Sequence, residues 1–197
     1  TTVTAECSSV STITVQTIDI QGNNLSLGGS TIVLSENGNA TIGLITDNSN
    51  GTYTASLTNT SAELITISGT LNGISITDTA TTNFIPGVAS TAQSMVTVSP
   101  SSVLADGISS SVITVQTRDA QANNLAGGGL LIALTENGGA TISPVTDVGD
   151  GTYTATITDS LAESIIVSAT LGGLAIADTA SLTFTPGVAS PSQTTLS

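Results

Sequence analysis

Residues 151–158 read Gly-Thr-Tyr-Thr-Ala-Thr-Ile-Thr, with small or apolar side chains at the odd positions and threonine at the even ones. A side-chain period of two belongs to a strand with one face buried, and β-branched threonine suits the face left to water. Ile65, Ile67, Gly69 and Leu71 alternate with Thr66, Ser68 and Thr70 in the same way. No amphipathic helical pattern competes with these runs.

The same stretch opens again at Gly51-Thr52-Tyr53-Thr54-Ala55, 100 residues earlier. Ile13-Thr14-Val15-Gln16-Thr17 returns at Ile113 to Thr117, and Pro86-Gly87-Val88-Ala89-Ser90 returns at Pro186 to Ser190, each with no insertion or deletion. A period of that length is a whole domain with its own core, because solenoid units run to only ~20–50 residues. Turn signals such as Gln21-Gly22-Asn23-Asn24, Glu36-Asn37-Gly38-Asn39 and Leu71-Asn72-Gly73 punctuate each copy. Their spacing of roughly 8–12 residues is that of a β-sandwich.

The expected fold is therefore all-β: two tandem immunoglobulin-like antiparallel β-sandwiches, the first lacking its opening strand. Strands of the second copy are placed near 95–99, 111–118, 129–136, 140–147, 151–158, 163–171 and 174–185, and the first copy repeats them from about residue 11. The domains are 1–88, 95–188 and a tail, 189–197. The short Pro- and Gly-bearing linker from Pro86 to Gln93 predicts semi-extended domains with limited flexing.

The phase of the repeat carries more than its length. The second copy opens on Met95-Val96-Thr97-Val98-Ser99-Pro100, an alternating strand whose counterpart would precede Thr1. The chain's last residues, 190–197, align with 90–97, so Thr194, Thr195 and Leu196 stand where a new strand would begin. Two readings follow. The chain is a segment of a longer array, or the tail of one molecule completes the first sandwich of the next, because strand addition supplies a missing ladder at an open edge. The second contact does not close on itself and predicts a filament.

Fourteen acidic residues stand against a single cation, Arg118, giving a net charge of −13. A nucleic-acid reader needs a basic footprint, and this chain has none. The same field repels an anionic bilayer, and no apolar run reaches the ~18–20 residues of a spanning helix. No secretory leader is legible at Thr1, so any such signal has been removed or lies upstream. Hydroxyl- and amide-rich strands point to an extracellular or cell-surface setting.

With no histidine and one cysteine, Ser-His-Asp and Cys-His machinery and the usual imidazole or thiolate zinc sites are excluded. Paired carboxylates acting on glycosides call for a cleft walled by aromatics, and there is no tryptophan. Tyr53, Tyr153, Phe84 and Phe184 recur at equivalent positions and read as core anchors. The expectation is no enzyme and no cofactor, with calcium as the one candidate ion. Asp19 with Asn23 and Asn24, or Asp119 with Asn123 and Asn124, bear the hard oxygen ligands that calcium takes, although Asn-rich turns also arise for backbone reasons alone. Zero lysines rule out a Lys–Asn isopeptide staple. Cys7 reads as a half-buried small hydrophobe or, for assembly, as one half of an intermolecular disulfide. Asn24, Asn39, Asn50 and Asn59 begin Asn-x-Ser/Thr sequons and are candidates for glycosylation.

The second copy resembles the bacterial Ig-like domains of the invasin and intimin type of surface adhesin. The residues that carry the resemblance are Ala105-Asp106-Gly107, Ile113-Thr114-Val115, Asp119, Asn123-Asn124-Leu125, Gly138-Gly139-Ala140, Asp150 to Ala155 and Ala169-Thr170-Leu171. The first copy departs from it with Ala5-Glu6-Cys7. What the resemblance implies is a sandwich module in a rod-like stalk outside the cell. No lectin-like tip accompanies it, so receptor binding does not carry over.

These observations converge on a non-enzymatic structural protein, a tandem stalk or head-to-tail filament whose partners are copies of itself or neighbouring Ig-like domains. The alternative is an adhesin module that meets a host receptor or carbohydrate through loops at one end of a sandwich. That role needs exposed aromatic or Arg anchors, and the sequence offers only Arg118 and four rings.

Overall fold

The structure is a computed structural model and describes residues 1–191 and 193–195. It divides into two compact units, Thr1–Gly87 and Val88–Ser197. Both are β-sandwiches. The first is built from β1 (Thr2–Thr4), β2 (Ser11–Gln16), β3 (Ile32–Glu36), β4 (Thr41–Ile42), β5 (Thr46–Asp47), β6 (Thr52–Thr58), β7 (Leu64–Leu71), β8 (Ile74–Ser75) and β9 (Ala80–Ile85). The second comprises β10 (Met95–Ser99), β11 (Ser102–Leu104), β12 (Ser110–Gln116), β13 (Ile132–Glu136), β14 (Thr141–Ile142), β15 (Thr146–Asp147), β16 (Thr152–Thr158), β17 (Ser164–Leu171), β18 (Leu174–Ala175) and β19 (Ala180–Thr185). No helix among the described residues is long and apolar enough to cross a membrane.

The alternation at 151–158 does what a period of two requires. Tyr153, Ala155 and Ile157 on β16 are buried, and so are Tyr53, Ala55 and Leu57 on β6. In the second unit Ile165 and Val167 on β17 share one core cluster with Tyr153, Ile157 and Phe184; in the first, Ile65 and Ile67 share one with Leu57 and Phe84. All four aromatic rings of the chain are at most 2% exposed. Each tyrosine also has its hydroxyl satisfied, accepting the N–H of Ser30 or of Leu130 at 2.8 Å.

One sheet of the second unit runs β11-β19-β17-β13, with β18 on β17; the other runs β10-β12-β16-β14, with β15 on β16. The first unit has β1-β9-β7-β3, with β8 on β7, and β2-β6-β4, with β5 on β6. The opening strand is thus two half-strands. In the second unit β10 pairs antiparallel with β12 in one sheet, and after Pro100 the chain crosses so that β11 pairs parallel with β19 in the other. The first unit keeps the second half, because β1 pairs parallel with β9 at Val3 and Phe84 as β11 does with β19 at Val103 and Phe184. Among the described residues it has no counterpart of β10.

Three further strand boundaries differ from the expectation. The run 129–136 pairs only from Ile132, since Leu130 N–H is taken by Tyr153. The run 140–147 breaks into β14 and β15 around Pro144, and the first unit breaks in the same place around Leu44, so the interruption belongs to the fold and not to the proline. The run 174–185 breaks into β18 and β19, leaving Ile176 to turn inward as a buried core residue.

Candidate functional site

The informative feature is the flank of β2. Among the described residues β2 has β6 on one side and no strand on the other, whereas its counterpart β12 lies between β16 and β10. The second unit shows what belongs there. β10 runs in register from Met95 opposite Gln116 to Ser99 opposite Val112, placing Val96 against Val115 and Val98 against Ile113. Val96 is 3% exposed and joins the core, and Val98 packs against it. Burying one such side chain contributes about 1.5–3 kcal/mol.

Several polar contacts hold the approach to β10. Ser94 accepts the Arg118 N–H on its hydroxyl and donates that hydroxyl to the Ser90 carbonyl at 2.7 Å. Ser90 N–H donates to the Arg118 carbonyl, and Ala177 N–H to the Thr91 carbonyl. Val96 N–H is received by the Asp178 carboxylate at 3.0 Å. Sequence reading found Val96 through its alternation but missed Asp178, which sits in a loop 82 residues away and has no pattern of its own.

In the first unit the same place is a groove of about 690 Å³, walled by Ile13 and Val15 of β2, by Ile67 and Gly69 of β7, and by Ile76 and Ala80. The equivalent residues Val115, Ala169, Ile176 and Ala180 are all buried, while Val15 and Ile76 are only half-buried and Ala80 is exposed. Asp78 lines the groove at the position of Asp178.

The other residues singled out from sequence divide by role. Asp19 Oδ1 accepts the N–H groups of Gln21 and Asn23, and its Oδ2 accepts the Asn23 side-chain amide; Asp119 repeats all three bonds. These hydrogen bonds, the Asn23 side-chain amide foremost, hold the Asp19 carboxyl below the usual aspartate range. Asn124 accepts Arg118 Nε at 2.8 Å, while Asn24 is exposed. Both aspartates therefore spend their oxygens closing their own turns. Among the described residues no group of three or more His, Cys, Asp or Glu is arranged to hold a metal ion. Gly51, beside this loop, has φ +82°, and a Cβ there would lie 1.8 Å from the Leu25 carbonyl, so only glycine fits.

Cys7 is exposed, which corrects the half-buried expectation: it follows β1 in a turn and points away from the core. Asn39 and Asn50 are exposed. Asn59 is not; it is 4% exposed, donates to Glu63 and accepts from Ser61 N–H, so its amide is committed inside the fold. At the tail, Gln193 and Thr194 donate N–H groups to the Ser190 carbonyl, and Thr194 adds its hydroxyl at 2.8 Å. That repeats the turn of Gln93 and Ser94 on Ser90 that leads into β10. Thr195 is in no strand, and Leu196 lies outside the described residues.

Comparison with known proteins agrees with this architecture. The family described as invasin, domain 3, matches residues 1–87 and again 90–187. Among solved structures the chain is similar to Yersinia pseudotuberculosis InvD, at 29% identity and TM-score 0.63, with 99% of this chain and 58% of that one covered. It is similar to invasin, described as a bacterial integrin-binding protein, at 26% identity and TM-score 0.62, covering 94% of this chain and 38% of that one. It is also similar to the Escherichia coli adhesin FdeC, at 27% identity and TM-score 0.61, covering 91% of this chain and 59% of that one. The chain thus spans between about two fifths and three fifths of the length of these proteins.

Proposed function

The chain belongs to the invasin domain 3 family in both of its halves, and from that premise we propose that it is a non-enzymatic structural segment of a cell-surface adhesin. Its work is to extend and to bear load. The observation that carries this reading is the organisation of the chain as two sandwiches at a 100-residue period, each with its own core. Similarity to FdeC, described as an adhesin, supports the surface setting. The four buried rings count against a receptor-reading surface, because binding hot spots draw on exposed Tyr, Trp and Arg. In its finer form, the reading has the segment holding Thr194, Thr195 and Leu196 complete the first sandwich of another molecule, head to tail.

Pulling a single chain from its two ends tests the load-bearing role. Two discrete unfolding events are expected, each releasing roughly 30 nm of contour at ~3.3–3.6 Å per residue. A chain that lengthens smoothly under load, without steps, removes the stalk reading.

A further inference from the structure

We infer that Asn37 and Asn137 are sites of self-promoted deamidation, each converted through a cyclic imide to aspartate or isoaspartate by the groups that surround it. The inference is independent of the function proposed above.

Four asparagines precede a glycine: Asn37, Asn50, Asn72 and Asn137. In such a pair the glycine nitrogen can attack the side-chain amide, because no Cβ shields it. The two groups belong to neighbouring residues, so the five-membered ring closes by rotation about the asparagine's own bonds. What distinguishes Asn37 and Asn137 is their surroundings. Gly38 N–H donates to the Glu36 carboxylate, and Gly138 N–H to that of Glu136. A base therefore already holds the proton that the attacking nitrogen must lose. β3 stops pairing at Glu36, opposite Ile67, and the next N–H of β7, that of Thr66, is taken by Asn37 Oδ1 at 2.8 Å. Ile166 N–H meets Asn137 Oδ1 at 2.7 Å in the same way. This donor meets the oxygen on which negative charge gathers as the amide carbon becomes tetrahedral.

The Glu36 carboxylate takes the Gly38 amide proton as the nitrogen bonds to Asn37 Cγ, and the carbonyl electron pair moves to Oδ1. Collapse breaks the bond from Cγ to Nδ2, and that nitrogen leaves as ammonia with the proton held by Glu36. One water then opens the imide at either carbonyl, giving aspartate or isoaspartate. Asn37 and Asn137 are exposed, so water reaches the ring. Asn50 and Asn72 have only half of this arrangement. Their Oδ1 atoms accept the N–H groups of Thr52 and Thr31, but among the described residues no carboxylate receives the Gly51 or Gly73 N–H. Packing also keeps the sensitive pair in place. A Cβ at Gly38 would lie 2.5 Å from Cδ1 of the buried Ile65, and one at Gly138 2.5 Å from Cγ2 of the buried Ile165.

The test incubates the full chain in warm neutral buffer and follows each site by peptide mass spectrometry that separates asparagine, aspartate and isoaspartate. Conversion at Asn37 and Asn137 is expected to outpace that at Asn50 and Asn72 by about tenfold or more. In urea the four rates are expected to converge, because only the fold places the carboxylate and the N–H donor. Glu36→Gln is expected to slow Asn37 by about tenfold or more and to leave Asn137 at its parent rate. The urea comparison uses the unsubstituted chain, so it stands whether or not the variant folds. Conversion at Asn37 and Asn137 no faster than at Asn50 and Asn72, a lead that persists in urea, or an unchanged Asn37 rate in a folded Glu36→Gln chain overturns the inference.

Discussion

The two sandwiches share most of their sequence and differ in one strand. In the second, β10 lies beside β12 and Val96 is buried; in the first, β2 is an edge, and Val15, Ile76 and Ala80 are left wet. The inward-facing residues of β2 do not account for this, since Ser11, Ile13 and Val15 are identical to Ser111, Ile113 and Val115. The same edge sequence is thus compatible with a neighbouring strand in both units, and among the described residues only the second unit supplies one.

The strongest way to break the contrast is to disturb β10 in the second sandwich. Val96→Asp places a carboxylate in the core beside Asp178, and loss of about 3–5 kcal/mol is expected. In urea or calorimetric unfolding of the parent chain, the first sandwich is expected to melt before the second. In the substituted chain the order reverses or the two transitions merge. A second sandwich that keeps its midpoint would mean that β10 contributes little, and the contrast would fall with it.

A smaller difference runs the other way. Asn59 donates its amide to Glu63 at 2.8 Å, while Asp159, its counterpart, has Oδ2 buried with no hydrogen-bond partner. Glu163 accepts from Gly139 N–H, as Glu63 does from Asn39 N–H, so the environments match. Asp159→Asn supplies the missing donor and is expected to stabilise the second sandwich by about 1–2 kcal/mol. Asn59→Asp is expected to cost the first a similar amount. Denaturant midpoints of the two variants measure both, and equal effects of the same sign would contradict the account.

The smallest expected effect is one of pH. Asp106 is held below the ordinary aspartate value by the Ser109 and Ile108 N–H groups, and Asp150 by the Thr152 hydroxyl and N–H. Their counterparts in the first sandwich are Glu6 and Asn50, so only Asp19 plays this part there with a resolved shift. A carboxyl depressed on folding stabilises fully above its unfolded value of 3.8, and that contribution is lost as pH falls through the lower folded value. The gap between the two melting midpoints is therefore expected to narrow between about pH 6 and about pH 3. A gap that widens on acidification would refute the assignment.

Most of the fold was legible because its determinants are local. Threonine at every second position sets the pleat, and Tyr153 and Phe184 recur where a core needs volume. Breaks at Pro144 and around Ile176 were less so, since a period of two continues through residues that have left the ladder. The half-strands β1 and β11 span only three residues each, too few for any periodicity to register. The Asp19 and Asp119 turns show the limit for sites: one Asp-Asn pattern suits an ion or a closed loop equally well, and only the structure shows the hydrogen bonds by which these aspartates close their turns.

By itself the sequence determined the repeat, its 100-residue period, the all-β class, and a charge balance hostile to nucleic acid and to anionic membranes. The repeat follows from self-similarity at an offset of 100, and the rest from composition and an alternation of period two. Only the tertiary structure decided that the opening strand divides between two sheets, that Asp178 receives β10, and that the first sandwich carries an apolar groove along β2. Those facts depend on pairings between residues as much as 82 positions apart. Strand partners are chosen by long-range burial, which an alternating pattern permits but does not specify.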